Sequence, residues 1–321
     1  MEHAITVVVW ACDVEPMWAS VAASLDHNRD ERVVWLIVDD GSTDRTGDLA
    51  EAWAATAECA VVLHLDRSGG PIPGRNAGLD QVRTRFVTFL DAPDYCAPGR
   101  MVGLLRAVEE LDVAFVRTDH VAVRGDRRQV IRMPERRHGV QLASVSGVGD
   151  GSGEAMVDYV AAWAGAYDLH RLGGLLTFDD DVGSEAAWPW VWALHLSDTD
   201  FGVVTAPAYY RTDAGSTRAE VAGSQSLVPA SRAILELVRA RDTRVGLRHA
   251  VHAICHRLAR EATDVDPNDH DARRSLAADL KLLLNELPES EVQWVLARMS
   301  TVRTGALRGL GVTLPDYGEL R

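Results

Sequence analysis

Lysine is nearly absent: Lys281 is the single lysine among 321 residues, and every other side-chain cation apart from histidine is arginine. That usage fits a GC-rich coding sequence, and each arginine carries a planar fork suited to phosphate or carboxylate. Positive charge is scarce overall, with 33 Lys and Arg against 47 Asp and Glu and a formal net charge of −14. Such a surface repels phosphate backbones, which argues against nucleic acid as a partner. Cysteine is limited to Cys12, Cys59, Cys96 and Cys255. Their wide spacing gives neither a paired framework nor a metal-ligand pattern, so buried thiols in a reducing cytoplasm are expected. No apolar run approaches the length of a membrane span, and the N-terminus has no charged-then-apolar signal pattern. Repeats and low-complexity tracts are also missing. The remainder, 47% hydrophobic and 25% charged, is ordinary for a soluble globular chain with ample core.

The most informative stretch is Trp35-Leu36-Ile37-Val38-Asp39-Asp40-Gly41-Ser42-Thr43-Asp44. An apolar run of this kind reads as a strand covered on both faces. It stops on two carboxylates and a turn, and Ser42 to Asp44 can cap a helix opening near Thr46. Carboxylates at the carboxyl end of a parallel strand lie where open α/β sheets bind ligands. Around this stretch, strands are predicted over 5–10, 33–38, 59–65 and 86–90, and helices over 16–25, 46–57 and 76–82. A Gly/Pro-rich loop fills 67–74. This alternation predicts a doubly wound, mainly parallel sheet. Further on, a helix is expected over 101–111, short strands over 113–116 and 121–123, and a flexible run over 147–153. More strand material is expected at 203–204 and 208–211. The six arginines between Arg124 and Arg137 read best as a solvated hairpin. From about Ser226 the pattern turns helical: Val251, Ile254 and Leu258 share one face, as do Leu276, Leu280, Leu283 and Leu287. A polar hinge at 263–271 separates those two helices, and Pro288 starts another.

Three segments in order carry a family resemblance: Asp39-Asp40-Gly41-Ser42, Gly74-Arg75-Asn76-Ala77-Gly78-Leu79 and Phe89-Leu90-Asp91-Ala92-Pro93-Asp94. Together they resemble the inverting family 2 glycosyltransferases of the GT-A (nucleotide-diphospho-sugar transferase) fold, in an actinobacterial type. The likeness continues through Thr118-Asp119-His120, Ala162-Trp163-Ala164-Gly165, Trp188-Pro189-Trp190, Leu194-His195-Leu196 and Tyr209-Tyr210-Arg211, covering roughly residues 4 to 240. It implies a GT-A-like α/β domain over 1–225, with a nucleotide-binding half (1–99) and an acceptor half (100–225). A helical extension over 226–321 follows. It also implies a UDP- or dTDP-type donor and a glycan, lipid-linked or small-molecule acceptor. Asp40 then accepts the base imide proton with Asp39 beside it, and Arg75 passes near the diphosphate. Asp119, His120, His195 and Arg211 fall on the acceptor or phosphate side. A structural histidine is an equal reading for His120 and His195. The C-terminal helices offer a surface for a homo-oligomer, and the location implied is cytoplasmic, peripheral at the inner membrane face at most.

Two departures touch the chemistry. The family's Asp-x-Asp motif holds Mg²⁺ or Mn²⁺ against the diphosphate. Here it reads Asp91-Ala92-Pro93-Asp94, and Pro93 has no side-chain oxygen. Asp91 and Asp94 remain as metal candidates, with metal binding weakened or absent. Inverting transfer also needs a general base for the acceptor hydroxyl. Alignment to relatives reading Ala-Glu-Asp-Arg-Pro-Trp puts Ala186 and Ala187 where the acids stand. Glu185 is the nearest substitute base, and a solvated surface acid is the competing reading. Trp10 falls where relatives place an aromatic ring near the base, and Asp213 stands where a diphosphate loop with a second arginine is usual. Two functions follow: an active inverting transferase with altered motifs, or a non-catalytic relative that keeps the fold as a binding or assembly partner.

Overall fold

The computed structural model describes residues 4–213, 227–241, 244–311 and 314. Five parallel-reading segments build its first half: β1 (Ile5–Ala11), β2 (Val33–Asp39), β3 (Ala60–His64) and β4 (Phe86–Asp91), with β6 (Phe115–Arg117) further along. β5 (Tyr95–Cys96) is a two-residue strand between them. Helices α1 (Trp18–Asp26), α2 (Thr46–Ala54), α3 (Pro71–Gln81) and α4 (Arg100–Leu111) connect them. Later come β7 (His120–Arg124), β8 (Arg127–Ile131), β9 (Leu142–Ala143), β10 (Gly165–Asp168), α5 (Leu169–Leu172), α6 (Ala187–His195), β11 (Asp200–Val203) and β12 (Tyr209–Thr212).

The main sheet runs β3-β2-β1-β4-β10-β6-β11-β9. β3, β2, β1 and β4 are parallel; β10 enters antiparallel to both β4 and β6. The order reverses at β1, between β2 and β4, so a crevice opens there at the carboxyl ends of the strands. Its rim is fixed by register, since Ala11 lies beside Asp39, Asp39 beside His64, and Trp10 beside Asp91. A second sheet, β5-β12-β7-β8, stands beyond the crevice. The arginine-rich segment is partly the β7–β8 hairpin, as the composition implies, with β8 mostly exposed.

Strands β1, β2 and β4 follow the sequence because nearly all their residues are buried on both faces, all seven of β1 among them, whereas the edge strand β3 is partly exposed. Three features differ from expectation. Helix α3 begins at Pro71, inside the segment expected as loop. Gly70 enters it at φ +89, and Pro71 and Pro73 fall in the first turn, where a missing N–H costs nothing. The run 147–153 is pinned rather than flexible: the Gly151 N–H donates to His249 Nδ1 at 3.1 Å. Strand β10 carries no alternation to announce it, being four fully buried residues.

Among the described residues, five helices follow the α/β part: α7 (Leu227–Ala240), α8 (Arg244–Asp264), α9 (His270–Glu286), α10 (Glu289–Leu296) and α11 (Thr301–Gly309). The leucine and valine faces read from the sequence are buried, including Val251, Ile254, Leu258, Leu276, Leu280 and Leu283. The expected boundary near 225–226 lies outside the described residues.

Helix α3 is set by close packing on the sheet. A methyl on Gly78 would fall 2.4 Å from Val8 Cγ1 and 3.3 Å from Val38 Cγ2. Gly78→Ala is therefore expected to lower stability by about 1–3 kcal/mol through overpacking. A guanidinium unfolding curve checks this, and an unchanged midpoint would show that the helix has room to shift.

Candidate functional site

The site grows from the end of β2. Asp40 is completely buried, so its charge requires hydrogen bonds. It accepts four: from Trp10 Nε1 (3.2 Å), Ser68 Oγ (3.0 Å), the Gly69 N–H (3.0 Å) and the Gly70 N–H (2.9 Å). These fasten β1 and the loop before α3 to the tip of β2. Gly41 (φ +59) lets the turn press on that loop; a Cβ there would lie 2.5 Å from the Arg67 carbonyl carbon. Trp10 in turn lies against Gly74, where a methyl would come within 2.4 Å of its ring.

Asp39 faces differently. Its Oδ2 meets His64 Nδ1 at 2.9 Å, and its Oδ1 accepts a long bond (3.3 Å) from the Ser42 N–H. His64 also meets Glu51 at 3.1 Å, and hydrogen bonds to the two acids raise its pKa. The neighbouring loops are zipped together: the Thr43 N–H donates to Asp13, the Val14 N–H to Thr46 Oγ1, and the Glu15 N–H to Asp44.

Arg75, on α3, forms a two-pronged pair with Asp91 at the end of β4: Nε to Oδ1 at 3.2 Å and Nη2 to Oδ2 at 2.5 Å. The guanidinium lies over the Phe178 ring, 5.6 Å from its centre. Asn76 holds that cover in place, bonding the Phe178 carbonyl, the Phe178 N–H and Asp180. Asp94 lies apart from Asp91's partner. It is 4% exposed and accepts from Tyr209 OH (2.8 Å), the Thr212 N–H (2.7 Å) and Thr212 Oγ1 (3.2 Å). Burial pushes its carboxyl up to about 7.

The donor set does not fit a divalent ion. Both Asp91 oxygens hold Arg75, both Asp94 oxygens hold β12, and Pro93 offers none. Among the described residues no group of three potential ligands comes together.

The other expected residues scatter. Glu185 ends the 3-10 helix Asp180–Glu185 and accepts from Arg257 Nη2 of α8 at 2.6 Å. Ala186 beside it is fully buried. His120 bonds Tyr159 OH through Nδ1 and meets the Trp163 ring edge-on at 4.8 Å. Burial, then the charges of Arg211 and Arg100, pull its pKa down to about 4, so it is neutral at pH 7. Asp119 accepts from the Met133 N–H and faces Arg132 at 3.6 Å. Arg211 is exposed on β12. His195 is fully buried, bonds the Ser144 carbonyl and packs edge-on against Phe115 and Phe201. Asp213 faces Arg124 at 3.7 Å, and the segment 214–217 after it lies outside the described residues.

Several contributors escape sequence reasoning. His64, Ser68, Gly69 and Gly70 join the site only through tertiary contacts. Tyr209 links Asp94 to Trp163, stacked on it at 4.1 Å. Arg100, 1% exposed, donates to the Pro207 carbonyl and Thr118 Oγ1.

A crevice at the switch point, lined by acids from the ends of β2 and β4 on either side of β1 and by an arginine, can hold a base at one end and an anion at the other. The model of glycosyl transferase family 2 matches residues 6–156, which contain all of these elements. The chain carries a family 2 glycosyltransferase domain. Glycosyltransferase GlyG of Streptococcus pneumoniae serotype 4 is 30% identical over 81 residues, which is 25% of this chain and 27% of that protein. The matches span only 27% to 37% of the first curated relatives' lengths. Among solved structures, S. aureus TarS 1-349 in complex with UDP-GlcNAc superposes with a TM-score of 0.70 at 17% identity, over 95% of this chain and 88% of that one. The mannosyltransferase PcManGT from Pyrobaculum calidifontis, in complex with GDP-Man and Mn²⁺, does so with 0.53 at 14%, over 97% and 86%. At these identities the likeness is one of fold, and the fold of this glycosyltransferase domain is GT-A. No helix among the described residues is long and apolar enough to cross a membrane.

Two outcomes follow from the site's construction. Asp40→Asn removes one oxygen from a carboxylate with four donors, and its amide would face other donors. A loss of about 1–3 kcal/mol in urea unfolding is expected; an unchanged midpoint would mean that the loop does not depend on this acid. Asp94, with a folded-state pKa above the ordinary 3.8, contributes stability that is full below that value and lost as pH rises through about 7. Asp94→Asn should flatten the part of the stability profile between about pH 4 and 7. Parallel profiles for the two proteins would contradict this.

Proposed function

We propose that this chain transfers a sugar from a nucleotide diphosphate donor to an acceptor hydroxyl, with inversion at the anomeric carbon. The observation that carries the reading is the convergence of Asp39, Arg75 and Asp91 on the switch-point crevice of a family 2 domain. Asp39 is the acid assigned to the nucleobase, since its Oδ1 holds only a long bond from Ser42. Asp40 acts by building the loop: its oxygens already accept four bonds. A UDP- or dTDP-type donor fits, as an imide N–H can donate to a carboxylate. TarS in complex with UDP-GlcNAc supports the choice of nucleotide.

In the transfer, the acceptor oxygen bonds to the anomeric carbon as the bond from that carbon to the diphosphate oxygen breaks. The acceptor proton passes to a carboxylate and the nucleoside diphosphate leaves. Glu185 is assigned as that carboxylate, positioned by Arg257. In this reading residues 1–99 bind the donor and 100–225 face the acceptor, a glycan, a lipid-linked sugar or a small molecule. The helices from 226 onward form an extension available for self-association.

One observation favours a second reading, donor binding without turnover: Ala186 and Ala187 stand at the acid positions, and Glu185 is engaged by an arginine. A nucleotide-release assay over a panel of UDP- and dTDP-sugars, with candidate acceptors, separates the two. Turnover that falls by about 10²–10⁴ in Glu185→Gln supports transfer with this base. Turnover untouched by the substitution removes Glu185 from the mechanism. Nucleotide binding with no release from any donor supports the second reading.

A further inference from the structure

We propose that the donor diphosphate is held in this protein without a divalent metal, its charge met by Arg75, which Asp91 positions. The inference rests on the donor-binding reading above and concerns how that donor is held.

The acids that would make a metal site are already committed to protein partners. A divalent ion needs unencumbered oxygens converging at about 2.0–2.6 Å. Asp91 has both oxygens on Arg75, and the cation already there neutralises it. Asp94 is turned into the protein, where it holds Tyr209 and Thr212 and ties β12 to the β4 end. Recruiting it for a metal would break three hydrogen bonds and detach β12. Pro93, between them, contributes no oxygen. A metal would thus have to displace a buried arginine to gain a single carboxylate.

Arg75 can do the electrostatic task itself. Its Nε and Nη2 are committed to Asp91, but Nη1 makes no hydrogen bond among the described residues. Nη1 is also not among the fully buried polar atoms that lack a partner, so it keeps an open side. A guanidinium clamped along one edge presents its other edge with little orientational entropy to lose, the arrangement that suits a phosphate oxygen. Phe178 over one face keeps water off the cation and strengthens its field. Asp91 thereby changes role, from metal ligand to positioning residue for the arginine.

The test is calorimetric titration of UDP and dTDP into the full chain, once in EDTA and once in MnCl₂. Equal affinity in the two buffers, within about twofold, supports the proposal. Tightening by tenfold or more with Mn²⁺ overturns it while leaving the donor-binding reading intact. No binding in either buffer overturns the donor-binding reading and this inference with it. Two variants sharpen the result. Arg75→Gln should weaken UDP binding in EDTA by roughly 10- to 100-fold, with Arg75→Lys recovering part of the loss; full affinity in Arg75→Gln would overturn the assignment. Asp91→Asn, which loosens the clamp on Arg75, should weaken UDP binding by about the same factor in EDTA and in MnCl₂. A metal-ligand role for Asp91 predicts instead a loss of binding confined to the MnCl₂ buffer, and unchanged affinity in both buffers would overturn the positioning role. Thermal unfolding of each variant shows that it is folded before titration.

Discussion

The buried carboxylate of Asp40 is the constraint on which the rest of the site depends. A charge with no solvent exposure is stable only if its lone pairs are filled, and four donors from two other segments fill them. The consequence is geometric. Trp10 is drawn across the top of β1, the Ser68–Gly70 backbone is fixed against β2, and α3 must start at Pro71. The start of α3 sets where Arg75 projects. Once Gly78 packs on Val8, the guanidinium meets the Asp91 carboxylate. The path from a turn after β2 to an ion pair at the end of β4 is one chain of contacts.

Much of this was legible in the sequence, for reasons that can be named. The Trp35–Val38 run is buried on both faces, so its apolar character is continuous and its end on Asp39-Asp40 is abrupt. The alternation of such runs with helical spacing predicted the parallel β3-β2-β1-β4 core and, with it, a crevice at the strand ends. The family 2 resemblance read from three short segments agrees with the domain matched over 6–156 and with the GT-A fold of its structural neighbours. The apolar faces of α8 and α9 were equally plain, because Val251, Ile254 and Leu258, and likewise Leu276, Leu280 and Leu283, recur at helical spacing.

What stayed hidden depended on long-range pairing or on local composition that points the wrong way. Pro71-Ile72-Pro73-Gly74 has the composition of a loop, yet prolines in a first turn lose nothing, and the helix starts there. Strand β10 is four buried residues reversed between two strands, with no pattern to reveal direction. His64 became a partner of Asp39 only through the β2–β3 register. His195, kept in the sequence as a candidate beside the acceptor, is a core residue between two phenylalanines. Most telling are Asp91 and Asp94: two acids three residues apart whose side chains go to different places. One meets an arginine on α3 and the other a tyrosine and a threonine on β12. Sequence spacing alone gives them a common purpose, and their partners give them separate ones.

If Arg75 meets the donor's charge without a metal, anomalous scattering from crystals grown with UDP and MnCl₂ will show the base beside Asp39, a diphosphate oxygen on Arg75 Nη1, the Asp40 contacts unchanged, and no manganese peak beside Asp91. A manganese ion bridging Asp91 and the diphosphate, with Arg75 swung away, would contradict it.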